Sequence, residues 1–200
     1  MKNLFKKRRR PQPTPIILVS GLPRSGTSMM MKMLVAAGIS PLTDHIRTPD
    51  QDNPKGYYEF ERVKKLREGD TNWLEQAQGK ATKVIAMLLP HLPSDYEYRV
   101  LFMRRNMQEI LASQTRMLEH RSEESAASDD EMSELFYKHI KQVEAWMDVQ
   151  PNLRYLDIDY NQLLKDPYPQ LSQINQFLGG GLEIEKMAAV IDPELYRQRK

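Results

Sequence analysis

The 200-residue sequence predicts an α/β fold, a three-layer sandwich with a mostly parallel central sheet flanked by helices. Three observations predict it. Short, largely apolar runs (Pro15–Ser20, rich in β-branched residues, Tyr98–Met103 and Leu153–Ile158) alternate with longer stretches of helical periodicity. The first run is apolar at consecutive positions, as expected of a parallel strand covered on both faces. Glycines punctuate the switches, with Gly21 and Gly26 after the first run and Gly38 where the first helix should cap.

Taken in order, residues 1–14 form a basic arm expected to be disordered, and residues 15–200 a single domain. Pro15–Ser20 is a strand, Gly21–Gly26 a loop and Thr27–Ala37 a helix. Ile39–Gly56, polar and rich in proline and glycine, is a loop, and a helix is expected from about Tyr58 to Leu66. Lys83–Leu88 reads as a second strand, although Ala86 and Met87 leave a helical reading open. Tyr98–Met103 is a third strand, followed by a helix over about Met107–Leu118. The acidic stretch Arg121–Asp130 reads as a mobile connection before an amphipathic helix over Glu131–Val149. Leu153–Ile158 is the last strand, and Tyr168–Leu178 a helix ended by Gly179–Gly181, with a short helical tail beyond.

Composition narrows the function classes. Apolar residues are 40% and charged residues 28%, ordinary for a soluble globular chain. No cysteine is present and the four histidines (His45, His91, His120, His139) lack ligand spacing, so no metal site is expected. The apolar runs are too short to span a bilayer, and the basic start leads into prolines rather than a secretory apolar stretch, so a cytoplasmic protein is expected. The whole chain carries +2, but Lys2, Lys6, Lys7, Arg8, Arg9 and Arg10 lie in the arm, leaving the remainder at −4. Such an arm could touch nucleic acid or an anionic membrane, but a basic tail on an acidic body is weak evidence for a nucleic-acid-binding domain, and no nucleic-acid partner is expected.

Chemistry concentrates in Gly21-Leu-Pro-Arg-Ser-Gly-Thr-Ser28. Gly21, Gly26 and Ser28 fit the phosphate-loop (P-loop) pattern GxxxxGK[ST], but Thr27 stands in place of the lysine. Backbone N–H groups at the start of the following helix, with its dipole, favour an anion there. Ser25, Thr27 and Ser28 add hydroxyls, and Arg24 moves the cation inside the loop. A nucleoside triphosphate site normally uses the loop lysine with Mg²⁺. A phosphosulfate carries less charge and needs no divalent metal, so one arginine and several neutral donors suffice.

The segment Pro15–Ser28 resembles the 5′-phosphosulfate loop of sulfotransferases that use 3′-phosphoadenosine 5′-phosphosulfate (PAPS). Tyr98–Ser113 resembles the 3′-phosphate segment of the same family, in which a strand-end arginine and a serine eight residues later bind the phosphate. Arg105 and Ser113 stand at that separation, whereas Arg104 does not. Leu153–Pro167 resembles the family's strand and acidic-aromatic turn, and by that match Tyr160 contacts the adenine. The family's aromatic residue after the loop has no counterpart, since Met29–Met31 follow.

The resemblance also implies a base. Asp52–Phe60 resembles a segment of small bacterial sulfotransferase-like proteins, and related branches take a glutamate from this region. That makes Glu59 the base, with Glu61 as fallback. The cytosolic branch places a histidine two residues after a lysine that resembles Lys83, but here Ile85 occupies that position, and His91 reads as a loop residue. Arg24 and Lys83 would stabilise charge on the leaving group. The implied reaction moves a sulfuryl group from PAPS, without metal, to a small-molecule, carbohydrate or peptide acceptor. Two alternatives remain open: a P-loop kinase or other NTPase, for which Asp157 and Asp159 imitate the required acidic strand, and a non-catalytic nucleotide-binding protein of the same fold.

Overall fold

The computed structural model describes residues 14–44, 46, 56–120 and 128–191. The basic arm through residue 13, the start of the Asp52–Phe60 motif and most of the 121–130 connection lie outside them. The chain runs β1 (Ile16–Gly21), α1 (Thr27–Ala36), a 3-10 helix (Glu61–Glu68), α2 (Leu74–Ala77), β2 (Ala81–Lys83) and a second 3-10 helix (Ala86–His91). It continues with β3 (Tyr98–Arg104), α3 (Met107–His120), α4 (Asp129–Asp148), β4 (Leu153–Asp159), α5 (Tyr160–Lys165), α6 (Tyr168–Leu178) and α7 (Ile184–Ala188).

The four strands form one sheet in the order β2-β1-β3-β4, with every neighbouring pair parallel. Alternation along each strand sends side chains to two separate layers. Ile16, Leu18, Val100 and Phe102 pack with Trp73, Leu89, Val143 and Met147 on one face. Val19, Leu101 and Ile158 pack with Met30, Leu34, Leu163 and Ile174 on the other. The expected three-layer α/β sandwich is therefore present.

Two expected elements are displaced. The second strand is Ala81–Lys83, not Lys83–Leu88, and residues 86–91 form a 3-10 helix containing Pro90. Three residues held between β1 and the Pro41 bridge carry too little pattern to announce a strand. The helix expected from Tyr58 starts at Glu61 instead, because Tyr58 is left-handed (φ 52°) and Phe60 extended. Glu59 is therefore not a helix-start residue.

The topology sets the position of the site. β1 leads outward to β2, while β3 leads to β4 on the opposite side, so the strand order diverges between β1 and β3. Parallel α/β sheets bind ligands in the crevice at such a point, at the carboxyl ends of the strands. Register pairs Val19 with Lys83, Gly21 with Met103 and Arg104 with Asp159. The loop after β1, Lys83, Arg105 and Tyr160 consequently share one edge.

Candidate active site

The loop after β1 is shaped by contacts that leave no room for side chains at its glycines. A Cβ on Gly21 would stand 2.6 Å from Ser25 Oγ and 2.7 Å from the Met103 carbonyl oxygen. One on Gly26 (φ 96°) would meet the Tyr160 ring at 2.4 Å. Ser25 is fully buried, and both its N–H and its hydroxyl donate to the Leu22 carbonyl, at 3.2 and 2.7 Å. Its hydroxyl thereby helps to close the loop. Gly26 is the N-cap of α1, with no side-chain cap and no acidic residue in the first turn. By contrast, α4 begins with a Ser128–Glu131 capping box and three acidic residues. The positive end of α1, carrying Thr27 and Ser28, thus lacks the usual internal compensation and suits an anion.

A second cluster joins this loop to α3. Arg24 is left-handed (φ 68°), a conformation that costs a non-glycine residue about 1–3 kcal/mol and needs surrounding support. Arg105 supplies some of it by donating from its guanidinium to the Arg24 carbonyl at 2.8 Å. The Arg24 side chain turns toward α3 and donates from Nε to Ser113 Oγ at 2.8 Å. Arg105 is itself fixed on three sides. Its Nε donates to Glu109 at 2.9 Å, its guanidinium lies 4.5 Å from the Tyr160 ring centre, and both members of the ion pair are buried. Asn161 Nδ2 donates to the other Glu109 oxygen at 2.8 Å. Such a satisfied network resists rotation of the guanidinium. Glu109 and Asn161 escaped the sequence reading, although Glu109 stands one helical turn from Arg105, at the i,i+4 spacing that brings side chains together.

A third cluster lies on the other side of the α1 start. Lys83 Nζ donates to the Tyr57 carbonyl at 3.0 Å and to Ser28 Oγ at 3.3 Å, and lies 3.4 Å from Glu59 Oε1. A lysine from β2 therefore reaches the first turn of α1, although the loop itself has Thr27 where a lysine is usual. Glu59 is held by its backbone: its carbonyl accepts from Thr43 Oγ1 at 2.8 Å, and Phe60 packs edge-on against buried Trp73 at 5.6 Å. Burial pushes the neighbouring Tyr58 phenol upward from its ordinary value.

Other candidates are placed elsewhere. Arg104 pairs with Glu144 and Asp157, both at 2.7 Å, which leaves Arg105 as the arginine at the loop. Asp159 accepts from Gln162 N as the N-cap of α5. Glu61 pairs with Lys64 at 2.6 Å, and His91 is exposed at the end of its 3-10 helix. Tyr160, by contrast, stays at the loop, buried between Gly26 and Arg105. Among the described residues, no three His, Asp or Glu side chains are grouped to hold a metal ion, and no helix is long and apolar enough to cross a membrane.

Comparison with known proteins bears on the family and the fold. No curated protein matches the chain in sequence. A sulfotransferase domain from the curacin biosynthetic pathway has a similar fold, with a TM-score of 0.51 at 19% identity, covering 94% of this chain and 78% of that one. Residues 14–196, which include all of the described residues, match the sulfotransferase domain family. The chain belongs to the sulfotransferase domain family.

Proposed function

We propose that this protein transfers a sulfuryl group from PAPS to a hydroxyl or amine acceptor, with Glu59 as base. The observation that carries the reading is two adjoining clusters of donor groups, each suited to an anion. One is the uncompensated start of α1 with Thr27, Ser28 and Lys83, and the other is the Arg24, Arg105 and Ser113 cluster. A donor bearing separate 5′ and 3′ anions fits both, whereas a linear triphosphate has no use for the second. Bound PAPS would supply the activated sulfuryl group.

The chain's own residues would then divide the work. Lys83 stands between Ser28 at the helix start and Glu59, so it adjoins both the leaving end of the donor and the base. When Glu59 takes the acceptor's proton it loses its negative charge, and the field of Lys83 becomes available to the leaving oxygen. Electrostatic stabilisation of this kind is effective because the donors are already in place before reaction. The NTPase alternative is weakened by Asp157 and Asp159, which serve Arg104 and the α5 cap respectively.

Incubation with ³⁵S-labelled PAPS and a panel of alcohols, sugars, amines and tyrosyl peptides should move label to at least one acceptor without added Mg²⁺. Label that stays on PAPS throughout, alongside Mg²⁺-dependent hydrolysis of ATP, would overturn the assignment.

A further inference from the structure

The chain bends immediately before Glu59, at a residue poorly suited to the bend. Tyr58 has φ 52°, a left-handed conformation that bulky side chains rarely adopt. Such a conformation persists only where the surroundings fix it from several sides. Here they do. Before it, the Tyr57 carbonyl accepts from Lys83 Nζ at 3.0 Å and from Ser28 Oγ at 3.4 Å, and the Tyr57 ring is buried. After it, the Glu59 carbonyl accepts from Thr43 Oγ1 at 2.8 Å and from the Asp44 N–H at 3.4 Å. The Asp44 carboxylate in turn accepts from the Glu61 N–H at 2.6 Å. Between these ties, the half-buried Tyr58 side chain packs at the margin of the apolar layer that contains α1.

The bend brings two groups to one ammonium. Lys83 Nζ meets the Tyr57 carbonyl and lies 3.4 Å from Glu59 Oε1, and these groups stand on either side of Tyr58. Taking φ to the negative values that most residues prefer would swing Glu59 about the Tyr58 N–Cα bond, while Lys83 stays fixed at the end of β2. Misplacing a reacting group by about 1 Å can cost about 10²-fold in rate.

We propose that Tyr58 is a positioning residue for the base, its left-handed backbone directing the Glu59 carboxylate to Lys83. This rests on the reading of Glu59 as base given above. Tyr58 acts through Glu59, so its effect falls on turnover and not on binding of the donor.

The test compares turnover, with the acceptor found by the labelled-PAPS panel, and calorimetric binding of adenosine 3′,5′-bisphosphate across three variants. Tyr58→Phe keeps the ring, and Tyr58→Asn loses it but tolerates left-handed backbone. Tyr58→Val also loses it and, branched at Cβ, resists that backbone. In Tyr58→Val, kcat should fall by about 10–100-fold. Its KM for PAPS and bisphosphate affinity should stay within about threefold of wild type. Tyr58→Phe should match wild type, and Tyr58→Asn should keep most of the turnover. If Tyr58→Val does not fold, Tyr58→Ala carries the same prediction against Tyr58→Asn, since both lack the ring and differ in tolerance of the bend. Equal kcat in the Val (or Ala) and Asn variants would overturn the inference. So would a loss of bisphosphate affinity as large as the loss of kcat, or a Tyr58→Phe as slow as Tyr58→Val. Unchanged turnover in Glu59→Gln would instead overturn the base reading, and this inference with it.

Discussion

Glu59→Gln should lower sulfuryl transfer by about 10²–10⁴-fold, the usual contribution of a positioned general base. Binding of adenosine 3′,5′-bisphosphate should stay within about threefold of wild type, since such a change is under 1 kcal/mol. The two effects separate because the account makes Glu59 the base and gives the donor's anions to the helix start, Lys83 and the arginine cluster. Folding should survive, as Lys83 keeps the Tyr57 carbonyl and Ser28 hydroxyl as neutral partners. Glutamine keeps the shape of the side chain but cannot take the proton. Steady-state turnover beside calorimetry on the same preparation decides the matter. Unchanged turnover would remove Glu59 from the base role, and lost bisphosphate binding would make it a residue of the donor site.

Arg105→Ala should affect both stability and binding. It leaves the Glu109 carboxylate buried with Asn161 but without its cation, and breaking a buried pair from one side costs about 3–5 kcal/mol. It also removes the donor to the Arg24 carbonyl, which supports the left-handed loop residue. Bisphosphate affinity should fall by about 10–100-fold, by the net strength of hydrogen bonds to charged groups. Arg105→Lys separates the two effects. It keeps a cation against Glu109, so denaturation should fall close to wild type, but it lacks the fork that reaches Glu109, the Arg24 carbonyl and the phosphate together. Urea denaturation reads the first effect and calorimetry the second. If Arg105→Ala were as stable as wild type and bound the bisphosphate normally, the network would have no functional weight.

How much of this was legible beforehand depends on whether a feature is local in the chain. β1, its loop and α1 were readable because a doubly buried strand, a glycine turn and a helix start are consecutive. The choice of Arg105 over Arg104 came from the resemblance, through its spacing to Ser113; in the structure Arg104 pairs with Glu144 and Asp157. β2 was misplaced because Ala81-Thr-Lys83 is too short to show a period and is a strand through its neighbours. α5 was missed for a similar reason: six residues, capped by an aspartate that imitated an acidic strand end. The left-handed Tyr58, which moves Glu59 off the helix, leaves no mark in composition. Contacts between distant segments, such as Asn161 with Glu109 or Arg24 with Ser113, arise only when the sheet brings β1, β3 and β4 edge to edge.

The central claim is that the site holds one nucleotide by two separate anions. Calorimetric titration of the wild-type protein with adenosine 3′,5′-bisphosphate and with ATP, each with and without Mg²⁺, tests it most directly. The account predicts tight binding of the bisphosphate that Mg²⁺ does not change, with ATP much weaker under both conditions. Tight ATP binding that requires Mg²⁺, together with weak bisphosphate binding, would contradict it.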